Sequence, residues 1–193
     1  MVLTPELLIS AYIQGIFPMA GENGEIYWYD PDPRAVLPLD TFHIPRSLRR
    51  AVRRQDYEVR RDTAFGEVIR ACAAPAPGRE DTWISGDIIS AYEELAQLGF
   101  AHSMEIWRSD RLVGGLYGVT VNGLFAGESM FARERDSSKI ALVHLIAHLR
   151  EQGFLLLDIQ FMTEHLHRFG AIEITRQEYK KALALALKKP ARF

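Results

Sequence analysis

The sequence predicts an α+β fold with a mixed, mostly antiparallel sheet, and three features lead to that class. Residues 111–131 alternate as two strands joined at Asn122-Gly123, the dipeptide most typical of a two-residue hairpin. A helical pattern follows over residues 137–153, and an apolar strand follows over 154–161. Paired strands, then a helix, then a further strand are typical of a sheet covered by helices.

The chain has 193 residues, of which 48% are hydrophobic and 25% are charged. This length suffices for one large core or for one core with a small lobe. Residues 18–45 are rich in proline, glycine and aromatic side chains and predict short strands and loops, whereas regular elements begin near residue 62. We therefore expect a small N-terminal lobe over residues 1–61 and a larger domain over residues 62–193.

Three helices before residue 100 are predicted by their N-cap residues and by apolar side chains at helical spacing. Glycines mark the ends of the first and the third. A proline-containing loop is predicted over residues 74–81. The first helix is predicted over residues 4–14 with Thr4 as its cap. The second is predicted over residues 62–73 with Asp62 or Thr63 as its cap, and the third over residues 85–99 with Ser85 as its cap.

The second half of the chain continues the alternation of elements. Residues 101–108 alternate as a strand ahead of the hairpin. The helix after the hairpin starts at Ser137 or Ser138 and ends at Gly153, with a broad apolar stripe. Residues 176–187 predict a last helix.

Two polar residues interrupt the apolar strand at residues 154–161. Side chains alternate across a strand, so Asp158 and Gln160 share a face and lie roughly 6 to 7 Å apart. Their neighbours on that face, Leu156 and Met162, are apolar, and a buried charge is costly unless it is hydrogen-bonded. We therefore expect the pair to line a cleft. The opposite face carries Leu155, Leu157, Ile159 and Phe161.

Glu128 is a further polar residue that could belong to the cleft, and it lies at the end of the second hairpin strand. It is either a carboxylate in water or a second carboxylate facing the cleft, where it would bind a cation or position an amine. Ser129 is not a predicted nucleophile, because the motif G-x-S-x-G needs glycine where Phe131 stands. Trp28, Trp83 and Tyr92 either form the core of the small lobe or stack a nucleobase.

The net charge of −2 is unevenly distributed. Residues 46–61 carry seven arginines against Asp56 and Glu58, a local charge of +5 that leaves −7 for the rest. Such a segment is either a solvated face or a contact for the phosphates of a nucleic acid.

Several other classes of site are not supported. His144 and His148 are spaced i, i+4, but no glutamate follows His144 and no third metal ligand is evident. The glycines of residues 114–118 match no nucleotide-binding motif. A single cysteine, Cys72, and the lack of an export signal favour a cytoplasmic protein, and no segment predicts a membrane span.

Many longer strings of the sequence resemble one bacterial family, the leucyl/phenylalanyl-tRNA–protein transferases, from about residue 9 to residue 179. The strings, in order, are AYIQGIFPM, YWYDPDPRAVLPLDTFHIPRSLRR, TWIS, AYEEL, GFAHSMEIW, LVGGLYGV, LFAGESMF, SSK and LLDIQ. The resemblance implies an aminoacyltransferase that moves leucine or phenylalanine, and less often methionine, from its tRNA to a protein beginning with Arg or Lys, which creates an N-degron. It also implies a GNAT-like C-terminal domain. We expect a monomer, although the sequence does not reveal the oligomeric state.

The resemblance further implies roles for individual residues. Asp158, Gln160 and Glu128 match the catalytic positions, with Asp158 orienting Gln160 and Gln160 contacting the attacking amine. Glu128 suits the basic N-terminal residue of the acceptor. Trp28, Trp83 and Tyr92 match substrate-binding positions near the terminal adenosine of the tRNA. Leu116 and Leu145 match positions in the amino-acid pocket. Gly127 and Ser129 are the remaining substrate-binding positions. The tRNA-binding positions are Arg46, Arg49, Arg50, Arg53 and Arg54.

No cofactor or metal is expected. GNAT acetyltransferases hold coenzyme A with a glycine-rich loop ahead of a helix, and the equivalent residues 132–139 contain no glycine. Two alternatives stay open, a non-catalytic binder of tRNA or of protein N-termini on the same scaffold and an acetyltransferase. Leu145 stands where the family often has an aromatic residue, which leaves the preference between leucine and phenylalanine open.

Overall fold

A computed structural model of the chain describes residues 3–76 and 82–193, and its regular elements are numbered here in chain order. The helices are α1 Pro5–Ile13, α2 Arg46–Arg54, α3 Phe65–Ala73, α4 Gly86–Gln97, α5 Ser137–Glu151, α6 Glu164–His167 and α7 Arg176–Ala186. The strands are β1 Phe17–Ala20, β2 Ile26–Tyr29, β3 Arg34–Val36, β4 Glu58–Arg61, β5 Ala101–Arg108, β6 Arg111–Val121, β7 Leu124–Ala132, β8 Leu156–Gln160 and β9 Ile172–Ile174.

Seven of these strands form one sheet in the order β4-β5-β6-β7-β8-β3-β9, and β1 and β2 form a separate hairpin. Strands β7 and β8 are parallel, whereas the other neighbours in the large sheet are antiparallel. The predicted mixed, mostly antiparallel sheet is confirmed. The division at residue 61 stays a prediction, and β3 and β4, which precede that residue, pair within the large sheet.

Helices cover both faces of the large sheet. The core on one face packs α1, α3 and α4 against β6, and the core on the other packs α2 and α5 against β5 to β8. A smaller cluster lies under α7, where Tyr179 and Leu183 contact Val36 of β3 and Leu156 of β8. Strand β8 therefore runs between α5 and α7, which places its two polar residues inside the protein.

Most predicted helix starts are confirmed. The Leu7 N–H donates to the Thr4 hydroxyl over 3.3 Å at α1, and the Ile88 N–H donates to the Ser85 hydroxyl over 3.4 Å at α4. Helices α5 and α7 lie where the sequence places them. Residues 77–81 of the predicted loop 74–81 lie outside the described residues.

The predicted cap of α3 is wrong. Its N-cap residue is Ala64, which has no side-chain cap, and neither Asp62 nor Thr63 fills that position. The buried Glu105 carboxylate of β5 instead holds the chain just before the helix, because it accepts the N–H groups of Thr63 and Ala64 over 2.9 and 2.8 Å. In the first turn, the Glu67 N–H donates to the backbone carbonyl of Ala64 over 2.9 Å.

Candidate functional site

A cavity of about 330 Å³ opens beside β7, β8 and α5. Its wall combines apolar side chains of α5 and the sheet with Phe17 and Met19 of the β1 strand. Seven of the predicted site residues line this pocket: Trp83, Leu116, Gly127, Glu128, Ser129, Leu145 and Gln160. The structure thus brings together residues from four separate parts of the chain.

Glu128 enters the pocket from a break in the pairing of β6 with β7. Tyr117 lies opposite Ser129 and Gly118 lies opposite Gly127, so that Glu128 has no residue opposite it. This arrangement is a β-bulge, a feature that redirects a side chain and is common beside active sites. The side chain is 8% exposed. Its Oε1 accepts hydrogen bonds from the Tyr12 hydroxyl over 2.7 Å and from Gln160 Nε2 over 2.9 Å.

Burial raises the pKa of Glu128 to about 8, and the nearby Asp158 charge adds to the effect, while the hydrogen bonds from Tyr12 and Gln160 oppose it. The Tyr12 hydroxyl also bonds to that of Tyr92, and burial raises the pKa of both phenols well above their ordinary value. Both phenols are therefore neutral near pH 7. A cation bound beside Glu128 would favour its carboxylate form. Glu128 can therefore gain or lose its proton in the same pH range as an amine.

Gln160 reaches the pocket through an unusual turn at the end of β8. Its φ is +64°, which is uncommon for a residue other than glycine, and the Phe161 N–H donates to the Ile159 carbonyl over 2.7 Å. The three residues form a tight turn with Gln160 at its centre. Asp158 Oδ1 accepts the Gln160 backbone N–H over 2.9 Å and so supports this conformation. Backbone strain of this kind is concentrated at functional sites.

Asp158 is enclosed by Arg34 and Tyr179 and does not line the pocket. It is 1% exposed, and its two oxygens accept hydrogen bonds from Arg34 Nε and Nη2 over 2.9 and 2.6 Å. The Tyr179 hydroxyl donates to Oδ2 over 2.8 Å. The prediction that Asp158 and Gln160 both line the cleft is therefore wrong for Asp158, because β3 brings a buried arginine alongside it. A catalytic role for Asp158 stays a prediction.

The turn at Gln160 also breaks the predicted alternation of β8. Leu157 and Ile159, which alternation places on the face opposite Gln160, line the same pocket as Gln160. The expected separation of the two faces is wrong at this end of the strand, because the positive φ reverses the direction of the chain there. The sequence carries no local signal for such a turn at a glutamine.

The three predicted aromatic residues have different positions. Trp83 lines the pocket. Tyr92 is fully buried and contacts Tyr12, so it supports Glu128 from behind and does not reach the pocket. Trp28 lies opposite Pro18 in the β1-β2 hairpin and packs partly buried against the core. Their proposed contact with an adenosine stays a prediction. Sequence reasoning did not identify Tyr12, Arg34 and Tyr117.

The predicted tRNA-binding arginines lie on α2, whose Leu48 and Ala51 are buried against the core. Arg46, Arg49, Arg50, Arg53 and Arg54 are all exposed, and among the described residues none of them forms an ion pair. Three of the five, Arg50, Arg53 and Arg54, line a groove of about 1000 Å³ between α2 and the start of α5.

The acidic residues of this groove are engaged by other cations. Arg108 pairs with Asp56 over 3.1 Å and with Glu134 over 2.6 Å, and Lys139 pairs with Asp136 over 2.8 Å. The arginines of α2 therefore keep their charge available for an external anion.

His144 and His148 are engaged separately. The Tyr57 hydroxyl lies 3.0 Å from His144 Nε2, and Arg61 contacts the ring of His148. Residues 3–76 and 82–193 contain no cluster of three or more His, Cys, Asp or Glu that could hold a metal ion. Within the same residues no helix has the length and apolar character needed to cross a membrane.

Comparisons with known proteins agree on one family. The family described as leucyl/phenylalanyl-tRNA protein transferase matches residues 36–184, and its N-terminal domain matches residues 1–32. A relative of that name from Herpetosiphon aurantiacus is 56% identical over 192 residues, covering 99% of this chain and 98% of its own. Another from Phenylobacterium zucineum is 55% identical over 188 residues, covering 96% of this chain and 85% of its own.

The fold has a more distant likeness among solved structures. The structure of L-PGS from Bacillus licheniformis matches with a TM-score of 0.50 and 13% identity, covering 90% of this chain and 66% of that chain. This likeness concerns the fold alone. Sequence and family comparison together establish that the chain belongs to the leucyl/phenylalanyl-tRNA–protein transferase family, whose members transfer an aminoacyl group from tRNA to a protein.

Proposed function

We propose that the pocket binds the leucyl or phenylalanyl group of an aminoacyl-tRNA and presents its ester to the N-terminal amine of an acceptor protein. One observation carries this proposal: an apolar cavity of about 330 Å³ has a buried carboxyl group and a buried amide in its wall. The apolar part suits a leucine or phenylalanine side chain. A difference of one methylene is worth only about 1 to 3 kcal/mol, so methionine is a minor substrate.

The reaction is a direct aminolysis of an activated ester. The neutral acceptor amine attacks the ester carbonyl, a C–N bond forms, the C–O bond to the ribose breaks, and the amine proton ends on the departing ribose hydroxyl. The acceptor amine has an ordinary pKa of about 7.7 to 8.0, so part of it is neutral at pH 7. The protein has to orient the two reactants and support the proton transfer.

Gln160 positions the attacking amine. Its Nε2 donates to Glu128, which leaves Oε1 as the amide atom that can accept a hydrogen bond from an amine. An amide is a poor base, and this contact favours positioning over proton relay. Asp158 contributes by supporting the turn that carries Gln160, since Arg34 already neutralises its charge. Glu128 is the group whose pKa suits proton exchange with an amine.

The acceptor is a protein with N-terminal arginine or lysine, and the product carries an N-degron. The carboxylate form of Glu128 supports the choice of a cationic acceptor. The proposed acting form is a monomer.

The proposed transfer is tested with purified protein, radiolabelled leucyl-tRNA and a peptide beginning with arginine. Label is expected in the peptide. Binding of tRNA without transfer would favour a non-catalytic binder, and transfer only from acetyl-CoA would favour an acetyltransferase. A matched peptide beginning with aspartate is the control for the acceptor preference, and equal labelling of both peptides would contradict that preference.

Charge reversal on α2 is expected to weaken tRNA binding without altering the pocket. Arg50→Glu/Arg53→Glu replaces two exposed cations of the groove that form no ion pair within residues 3–76 and 82–193. The affinity is therefore expected to fall by about tenfold or more at 0.1 M salt. The slope of log affinity against log salt falls by about one for each lost phosphate contact. Filter binding at several salt concentrations measures both.

Arg60→Glu is the matched control for this experiment. Arg60 already pairs with Glu58 over 2.7 Å and with Asp110 over 3.2 Å, so its charge is not available to phosphate. Equal losses of affinity in the α2 variant and in the control would contradict a tRNA contact at α2.

A further inference from the structure

Tyr117 has a buried hydroxyl group that no described residue satisfies. The side chain is fully buried and lines the pocket, yet its oxygen has no hydrogen-bond partner within residues 3–76 and 82–193. A buried hydroxyl without a partner destabilises a folded protein, so such groups are rare and call for an explanation.

The position of this hydroxyl is fixed by packing. The ring of Tyr117 meets Phe65 edge to face with centroids 5.8 Å apart and meets Tyr92 in the same way at 5.9 Å. Its backbone lies opposite Ser129 at the bulge that redirects Glu128. The ring therefore cannot turn without losing contacts on two sides.

A second unsatisfied atom lies in the same pocket wall. Glu128 Oε2 is buried and has no partner among the described residues, whereas Oε1 accepts from Tyr12 and Gln160. Burial also raises the pKa of Tyr117 well above its ordinary value, so the hydroxyl stays a neutral phenol. A cationic ligand favours the carboxylate form of Glu128, in which Oε2 accepts hydrogen bonds. The phenol oxygen of Tyr117 accepts as well as donates, so the N–H donors of such a ligand can satisfy both atoms.

We propose that the Tyr117 hydroxyl and Glu128 Oε2 form a subsite for the primary amine of a substrate. An ammonium group offers three N–H donors, and here one donates to the phenol oxygen and another to the carboxylate. This inference rests on the proposed function, which brings two such amines to the pocket, that of the aminoacyl group and that of the acceptor. The experiments below distinguish these two sources.

Tyr117→Phe tests the subsite because it removes one oxygen and keeps the ring. Since the hydroxyl has no partner among the described residues, the variant is expected to melt at the same temperature as the wild type or higher. Transfer, measured as kcat/KM, is expected to fall by about tenfold or more. A rise in KM confined to leucyl-tRNA assigns the donor amine to the subsite, and a rise confined to the peptide assigns the acceptor amine.

Tyr92→Phe is the matched control, because the Tyr92 hydroxyl is bonded to Tyr12. That variant is expected to melt at a lower temperature than the wild type. A lower melting temperature for Tyr117→Phe, or transfer within twofold of the wild type, would overturn the proposal, since either outcome fits a hydroxyl with only a structural role.

A binding experiment separates this inference from the proposed transfer reaction. Leucinamide and argininamide serve as small amine probes in calorimetric titrations of the wild type and of Tyr117→Phe. Affinity for at least one probe is expected to fall by about tenfold in the variant, and the affected probe identifies the source. Unchanged affinity for both probes overturns the subsite. A wild-type protein that binds a probe in this way but transfers no leucine contradicts the proposed function alone.

Discussion

Asp158→Asn is expected to lower the free energy of unfolding by about 3 to 5 kcal/mol, because it leaves a buried guanidinium without its counter-charge. Arg34 and Asp158 are each 1% exposed and share two hydrogen bonds. Arg34 also lies 4.7 Å from the centre of the Phe17 ring and 4.3 Å from that of Tyr179, so water cannot replace the lost carboxylate. Urea denaturation of variant and wild type measures the difference.

Asp110→Asn is the matched control for this loss. Asp110 pairs with Arg60 over 3.2 Å but is 92% exposed, and exposed pairs contribute about 0 to 1 kcal/mol. A loss below about 1 kcal/mol in Asp158→Asn would show that the buried pair is not a structural element.

The double variant Arg34→Gln/Asp158→Asn separates the structural part of this pair from its catalytic part. Both charges are removed, and the asparagine keeps an oxygen that can accept the Gln160 N–H. We expect more than half of the lost stability to return, together with transfer, because Asp158 acts through the turn at Gln160. Recovered stability with transfer still absent would mean that the carboxylate charge itself takes part in the reaction.

The Arg34–Asp158 contact also shows where sequence reasoning reaches its limit. Alternation correctly predicted a buried strand that carries two polar residues, because strand periodicity is a local property. The partner of Asp158 lies 124 residues earlier in the chain, on a strand of three residues that has no periodicity to read. The positive φ at Gln160 is likewise accompanied by a contact of Asp158, whose Oδ1 accepts the Gln160 backbone N–H over 2.9 Å.

The position of Glu128 in the pocket likewise could not be predicted from local sequence patterns. The Asn122-Gly123 dipeptide predicted the hairpin, whereas the bulge that turns Glu128 into the pocket was not predicted, although Gly118 and Gly127 lie beside it. The predicted cap of α3 failed for a related reason, because Glu105 of the neighbouring strand β5 bonds to the residues just before that helix. Local propensities therefore predict the elements well, whereas contacts between distant segments decide how the polar side chains are used.

Glu128→Gln is expected to lower transfer by about 100-fold or more and yet to stabilise the folded protein as the pH rises. In the wild type the buried carboxyl keeps its proton up to a pKa of about 8, whereas the unfolded chain releases it near the ordinary value of 4.5. The stability that this proton provides is complete below pH 4.5 and is lost as the pH rises towards 8. Glutamine cannot ionise, so the variant avoids this loss.

The gap in unfolding free energy between Glu128→Gln and the wild type should therefore widen between pH 4.5 and pH 8. Each factor of ten in the ionisation equilibrium corresponds to about 1.4 kcal/mol, so a gap of several kcal/mol is expected at pH 8. Urea denaturation at half-unit pH steps measures it. A gap that stays constant across this range would mean that Glu128 ionises normally in the folded protein.

Tyr12→Phe tests whether the same ionisation governs transfer. The Tyr12 hydroxyl stabilises the carboxylate form of Glu128, so its removal raises the pKa of Glu128 further. The rise of kcat/KM with pH is then expected to move to higher pH than in the wild type. The acceptor amine titrates near 7.7 to 8.0 in both proteins and cannot cause that difference. An unmoved profile would assign the pH dependence to the amine and remove Glu128 from the proton transfer.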